Sequence, residues 1–281
     1  MLRFGPRFFF HVLSQRFSAQ HLRRQPEMDM VMLDEEQDQE YALDGELGSL
    51  AIIYELIISS VTRVSPHEGQ ALDIASGSGQ LLAKLAVSLP KMQFRGTDIS
   101  EHMLEIGRKS AKTYGATNLS FERRSMYELE ALAPRQFDLI TWSLALHHCH
   151  RSRDVERVLA GAHRLLKPGG TFFLFDIIRP KTGASAVALA DLYNRGRGSW
   201  FYHDSLDSYK AAFTFGELAE ILARSPFTGI RHVQPRVANF FQMAYASHTH
   251  QRGPRPRSFL RRFSQRVDYA MLRLGFAGMI R

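Results

Sequence analysis

Polar and apolar positions change rhythm along this chain. Leu50, Ile53, Tyr54 and Ile57 follow the i, i+3, i+4, i+7 spacing of one helix face. From residue 71 onward, short apolar runs alternate with amphipathic stretches. The pattern predicts strands over 72–75, 93–97, 119–123, 137–142 and 171–176. It predicts helices over 81–89, 101–114 and 155–166, the first ended by Pro90. Strands alternating with helices of this length imply a doubly wound α/β fold with a mostly parallel sheet. After the fifth strand the alternation breaks. Residues 179–215 are polar and aromatic, with a helix expected over 184–194, and read as a lid inserted into the fold. A helix over 215–224 and strands over 230–234 and 240–245 complete a seven-stranded sheet.

The chemistry gathers at the ends of the first strands. In Ala71-Leu-Asp-Ile-Ala-Ser-Gly-Ser-Gly-Gln80 a strand runs into a turn of small residues and then a helix. Gly77 and Gly79 allow the backbone to bend and to approach a ligand closely. Asp98 follows at the end of the second strand, where a carboxylate can accept hydrogen bonds from both ribose hydroxyls of an adenosine-type cofactor. A dinucleotide fingerprint calls for a third glycine, and Leu82 stands in its place. Asp73, inside the strand, is poorly suited to a diphosphate neighbour.

These stretches resemble the motifs of class I S-adenosylmethionine methyltransferases. Leu72-Asp-Ile-Ala-Ser-Gly-Ser-Gly79 looks like their first motif and Gly96-Thr-Asp-Ile-Ser-Glu-His-Met103 like their second. Phe137-Asp-Leu-Ile-Thr-Trp-Ser-Leu-Ala-Leu-His-His148 and Leu165-Leu-Lys-Pro-Gly-Gly-Thr-Phe-Phe173 resemble the fourth strand and the turn into the fifth. Within the class, the resemblance is to the small-molecule branch that includes the quinone-biosynthesis methyltransferases. It implies a Rossmann-like fold, S-adenosyl-L-methionine as cofactor and methyl transfer to a small, partly apolar acceptor.

The resemblance also implies roles for residues. Asp73, Ala75, Ser76, Gly77 and Gly79 would line the methionine part of the cofactor. Asp98 would hold the ribose. Ile99 and Met103 would flank the adenine, with Ser125 and Met126 at its edge. Many relatives carry an Asp at that last point, and this sequence has Arg124-Ser125-Met126. Ser143 and Leu144 would face the sulfonium, and Tyr41 would fold over the cofactor.

His147-His148-Cys149-His150 follows the fourth strand. His147 is the candidate general base, because imidazole titrates near neutrality; the alternative is a histidine that only positions the loop. His148, Tyr202 and His203 are candidate substrate contacts. No metal site is expected, because adjacent ligands do not easily reach one tetrahedral ion. The lid aromatics suit an apolar pocket, or they only hold the lid to the sheet.

Charge divides unevenly. The net charge is +8, but residues 1–25 hold five Arg and no acid, and residues 252–281 hold eight Arg against Asp268. The rest has 23 basic against 27 acidic residues. The mildly acidic body argues against a polynucleotide lying across it. The expected organisation is a basic amphipathic segment over 1–26, a methyltransferase domain over 27–251 and a basic amphipathic tail over 252–281. The first segment reads as a mitochondrial targeting sequence, a membrane-surface helix, or residues upstream of the true start. The tail reads as a membrane-surface helix or one packed on the domain. The expected location is the cytoplasm with membrane contact, or else the mitochondrial matrix. An RNA or protein methyltransferase, a non-methylating assembly factor and an oxidoreductase remain open alternatives, because fold does not fix function.

Overall fold

The computed structural model describes residues 18, 22–27, 49–194, 199–235 and 240–247. The chain runs α1 (Ser49–Val64), β1 (Glu68–Ile74), α2 (Gln80–Ser88), β2 (Lys91–Asp98), α3 (Glu101–Tyr114) and β3 (Leu119–Arg123). Then come β4 (Phe137–Ser143), α4 (Ser152–Leu165), β5 (Leu166–Ile177), α5 (Gly183–Asn194), α6 (Ser199–Ala211), α7 (Phe215–Arg224), β6 (Arg231–Val233) and β7 (Phe241–Ala246). The seven strands form one sheet in the order β3-β2-β1-β4-β5-β7-β6. β1 through β5 pair in parallel, and β7 joins antiparallel to β5 and β6.

Strand alternation sends side chains to two cores. Leu139, Phe173 and Phe175 pack with α1, α2 and the lid, around Ile57, Leu85 and Leu189. Leu72, Ile140, Trp142, Phe172 and Leu174 pack on the other face with α4 and α7, around Val158, Leu159 and Ile221. A sheet covered on both faces needs such near-continuous apolar strands.

β5 begins earlier than the apolar run predicts. Leu166 already pairs with Phe137, and the register then shifts before Thr171 pairs with Leu139. The Lys-Pro-Gly-Gly stretch is absorbed as an irregularity of the ladder rather than lying before it. The lid holds two helices, α5 and α6, where the pattern predicts one. Residues 22–27 lie against the lid as a short strap. The Leu22 amide donates to the Lys181 carbonyl at 2.8 Å, and that of Gln25 to the Lys210 carbonyl at 3.1 Å. The remaining end segments, Tyr41 and the Gly196–Gly198 pair lie outside the described residues.

Candidate active site

The strand order reverses between β1 and β4, and ligands of open α/β sheets bind beyond the strand ends at such a point. Both connections there are bent. Ala75, just after β1, has φ 54°, and Leu144, just after β4, has φ 56°. Left-handed backbone in a non-glycine residue costs about 1–2 kcal/mol and collects at functional sites. The Leu144 amide donates to the Phe175 carbonyl at 2.8 Å, which holds that turn against β5.

The glycines of the first turn differ in their reasons. Gly79 has φ 63°, and a Cβ there would lie 2.7 Å from the Gly107 Cα of α3 and from the Phe121 ring. It lets α3 pack close. Gly77 has φ 52°, and a Cβ there would meet nothing within 4 Å, so it faces open space. Leu82 occupies the position of the missing third glycine and packs over Gly96, where a Cβ would meet its Cδ2 at 2.6 Å.

Asp98 ties the two strand ends together. Its Oδ2 accepts the Gly77 amide at 2.9 Å and its Oδ1 the Ser100 amide at 3.0 Å. Each oxygen keeps a second lone pair for a ligand hydroxyl. Burial raises the Asp98 pKa, and these two backbone bonds work against the rise. Ile99 beside it is 41% exposed, one of two large apolar side chains so exposed among the described residues. Met103 is buried at the start of α3. Ser76 Oγ and Ser143 Oγ, on either side of the reversal, are buried with no hydrogen-bond partner among the described residues. Asp73 is buried beneath the turn and accepts the Thr141 hydroxyl at 2.6 Å. Burial, with the Asp98 charge nearby, pushes it up to about 7 despite that bond.

Ser125 and Met126 follow β3. The Ser125 hydroxyl accepts the Tyr127 amide at 3.2 Å, and Met126 is buried in the core against α4. Met126 is a packing residue here.

The loop after β4 carries the second part of the site. His147 is buried. Its Nδ1 lies 2.8 Å from Asp176 Oδ1, and its amide donates to Asp176 Oδ2 at 2.9 Å. Burial alone would push its imidazole down, but Asp176, with Glu27 and Asp204, outweighs that and raises it to about 9. The acids around His147 thus favour its protonated form. His148 Nδ1 lies 2.5 Å from Glu27 Oε2. The Ser208 hydroxyl donates to Glu27 Oε1 at 2.8 Å. Burial works to raise Glu27, yet the His148 bond and both imidazole charges hold it down at about 2. Asp204, one helical turn before Ser208 on α6, is raised to about 6 by burial and by Glu27. Its neighbour His203, expected to meet substrate, is exposed, and Tyr202 stacks edge-on to it at 5.4 Å.

The loop is pinned by Arg24 of the strap. Its guanidinium donates to the carbonyls of Cys149 at 2.5 Å, His150 at 2.6 Å, Ala211 at 2.6 Å and His147 at 3.3 Å. It lies 3.9 Å from the Phe213 ring centroid, a cation–π contact. Arg24, Glu27, Asp176 and Ser208 are absent from the sequence expectation. Asp176 had one signal, an acid closing an apolar strand. Glu27 had none, because its partners lie some 120 residues away.

Residues 71–170 match a family model described as a methyltransferase domain. Over those residues the chain is similar to class I, S-adenosylmethionine-dependent methyltransferases. It is 31% identical over 112 residues to a demethylmenaquinone methyltransferase of Bacteroides fragilis, covering 40% of this chain and 44% of the relative. It is 30% identical over 154 residues to a ubiquinone biosynthesis O-methyltransferase of Albidiferax ferrireducens, covering 53% and 58%. The chain thus spans about half the length of these curated relatives. Among solved structures it is similar in fold to an S-adenosylmethionine-dependent methyltransferase from Aquifex aeolicus, with TM-score 0.52, 16% identity, and 76% and 98% of the two chains covered. It is also similar to the plantazolicin methyltransferase BpumL, solved with S-adenosylhomocysteine, with TM-score 0.58, 14% identity, and 77% and 92% covered.

The residues of this candidate site fit S-adenosylmethionine. Gly77 leaves open space, Asp98 keeps free lone pairs, Ile99 offers an exposed apolar surface, and two serine hydroxyls wait unpartnered.

Proposed function

We propose that the protein transfers a methyl group from S-adenosylmethionine to a small, partly apolar acceptor. The observation that carries this reading is Asp98, whose carboxylate bonds the Gly77 amide at the strand-order reversal and retains lone pairs for a ribose. Gly77 and Gly79 would let the cofactor's amino-acid end approach the backbone, Ile99 would cover one adenine face, and Ser143 and Leu144 would border the reacting centre. Bound S-adenosylmethionine supplies an already activated methyl group. The chain's own contribution is then chiefly to hold the acceptor in line and keep water out. Methylation of oxygen or carbon releases a proton, which passes to solvent or to a base beside the β4 exit.

The acceptor would lie between that cluster and the lid. The names of the relatives speak of quinone biosynthesis. A ring with a polar edge and an apolar body would set its polar edge against the β4-exit histidines and its apolar body under the aromatic residues of the lid. The Arg-rich segments 1–17 and 252–281, outside the described residues, would bring the enzyme to a membrane surface where such acceptors partition.

The test is calorimetric titration with S-adenosylmethionine, beside an Asp98→Ala variant and NADH. Micromolar binding that the variant loses supports the reading. No binding by folded protein, or preference for NADH, overturns it.

A further inference from the structure

Four segments far apart in the sequence bring polar groups to one place beside the β4 exit. The strap supplies Glu27, and the loop supplies His147 and His148. The end of β5 supplies Asp176, and α6 supplies Asp204 and Ser208. One donor atom from each of Glu27, His147 and His148 lies within 4.8 Å of the other two. The two imidazole rings are 4.3 Å apart and tilted by 44°, so they do not stack flat and compete for one direction.

The surroundings orient these donors. Asp176 occupies the Nδ1 side of His147, which leaves Nε2 as the free nitrogen. A carboxylate on the far nitrogen is the usual support of a metal-bound imidazole. Ser208 occupies Glu27 Oε1, which leaves Oε2 on the His148 side. Asp176 is fully buried and Glu27 nearly so, while the His148 side chain is 32% exposed, so the cluster opens on the His148 side. The expectation that neighbouring histidines cannot share an ion considered the loop alone, and it omitted a third donor from the strap.

We propose that Glu27, His147 and His148 bind a divalent transition metal of the zinc class, leaving one position open. Two imidazoles and one carboxylate with an open position is a common donor set for catalytic zinc. Ligand bonds of about 2.0–2.2 Å require the His148–Glu27 contact to open by under about 1 Å. The ion displaces the proton between His148 and Glu27 and any proton on His147 Nε2, and these leave to solvent. At the open position it would hold an acceptor oxygen and favour loss of its proton. That last role rests on the methyl transfer proposed above; metal binding does not.

The full-length protein, stripped by chelator, is titrated with zinc by calorimetry and with cobalt by visible absorption. One equivalent should bind at micromolar or tighter affinity, with cobalt bands of four- or five-coordination, and zinc should raise the unfolding midpoint. Glu27→Gln and His148→Asn should each weaken zinc by about tenfold or more. His150→Asn, next in the loop and exposed, should leave it unchanged. Thermal unfolding checks that each variant folds, and His148→Asn decides if Glu27→Gln does not. Absence of stoichiometric binding, or binding indifferent to both ligand variants, overturns the proposal and leaves a hydrogen-bonded cluster. Titration of the metal-free protein with S-adenosylmethionine keeps the two readings separate, since it can succeed when the metal fails.

Discussion

The Gly77 amide donates to the Asp98 carboxylate at 2.9 Å, joining the turn after β1 to the end of β2. One acid thus shapes the glycine turn and faces the cofactor crevice. Asp98→Ala removes both functions. Hydrogen bonds to a charged group contribute about 1.5–3 kcal/mol, so S-adenosylmethionine affinity should fall roughly tenfold to a hundredfold. Asp98→Asn should fall between, since its amide group keeps only one acceptor oxygen. Calorimetry on both variants checks this order.

Gly77→Ala and Gly79→Ala should separate binding from stability. At Gly79 the new methyl meets the Gly107 backbone at 2.7 Å in addition to its strained φ. A loss of more than about 2 kcal/mol is expected, or several degrees of melting temperature. At Gly77 the methyl enters open space, so only the roughly 1 kcal/mol of backbone strain applies. That methyl projects where the cofactor would lie, and affinity should drop more than stability. Melting curves beside cofactor titrations distinguish the two.

Asp73 should make the fold sensitive to pH. It stands at about 7 in the folded protein, against about 4 in an unfolded chain. Between those values the folded state holds a proton that the unfolded state releases. Stability from this group is therefore fully present below about pH 4 and lost as pH rises through 7. Asp73→Asn keeps an acceptor for the Thr141 hydroxyl and removes the titration. Urea midpoints at pH 5 and pH 8 should differ less in the variant than in the parent.

Arg24→Ala should loosen the loop that carries the histidines. Four carbonyls lose their shared donor, and the Phe213 ring loses its cation. A cost of about 1–3 kcal/mol is expected from the loss of bonds to part-buried acceptors. Amide hydrogen exchange should rise in residues 145–150 and at the end of α6 before it rises in the sheet. Uniform exchange across the domain would show that Arg24 supports the whole fold instead.

The parts legible in the sequence are those written locally. α3, β3 and α7 fall where periodicity and capping residues put them, at Glu101–Tyr114, Leu119–Arg123 and Phe215–Arg224. Ser100 caps α3 through the Met103 amide, and Thr214 and Glu217 form a capping box on α7. The glycine turn and Asp98 are readable for the same reason, since strand, turn and acid follow one another. β5 was misjudged at its start because Pro-Gly-Gly reads as a turn, whereas the ladder bulges around it. α6 has weak apolar periodicity and depends on packing against α5 and the β4 exit loop. The histidine cluster was half legible. His147 and His148 announce themselves, but Glu27, Arg24 and Asp204 reach them only through tertiary structure.

The strap also bears on maturation. A protease that trimmed the first 25 residues, as removal of an import sequence would, cuts away Arg24 and the Leu22 and Gln25 ties, and leaves Glu27 on a fresh terminus. The processed form would have a loosened histidine loop. A cut before Leu22 would leave all of these ties in place.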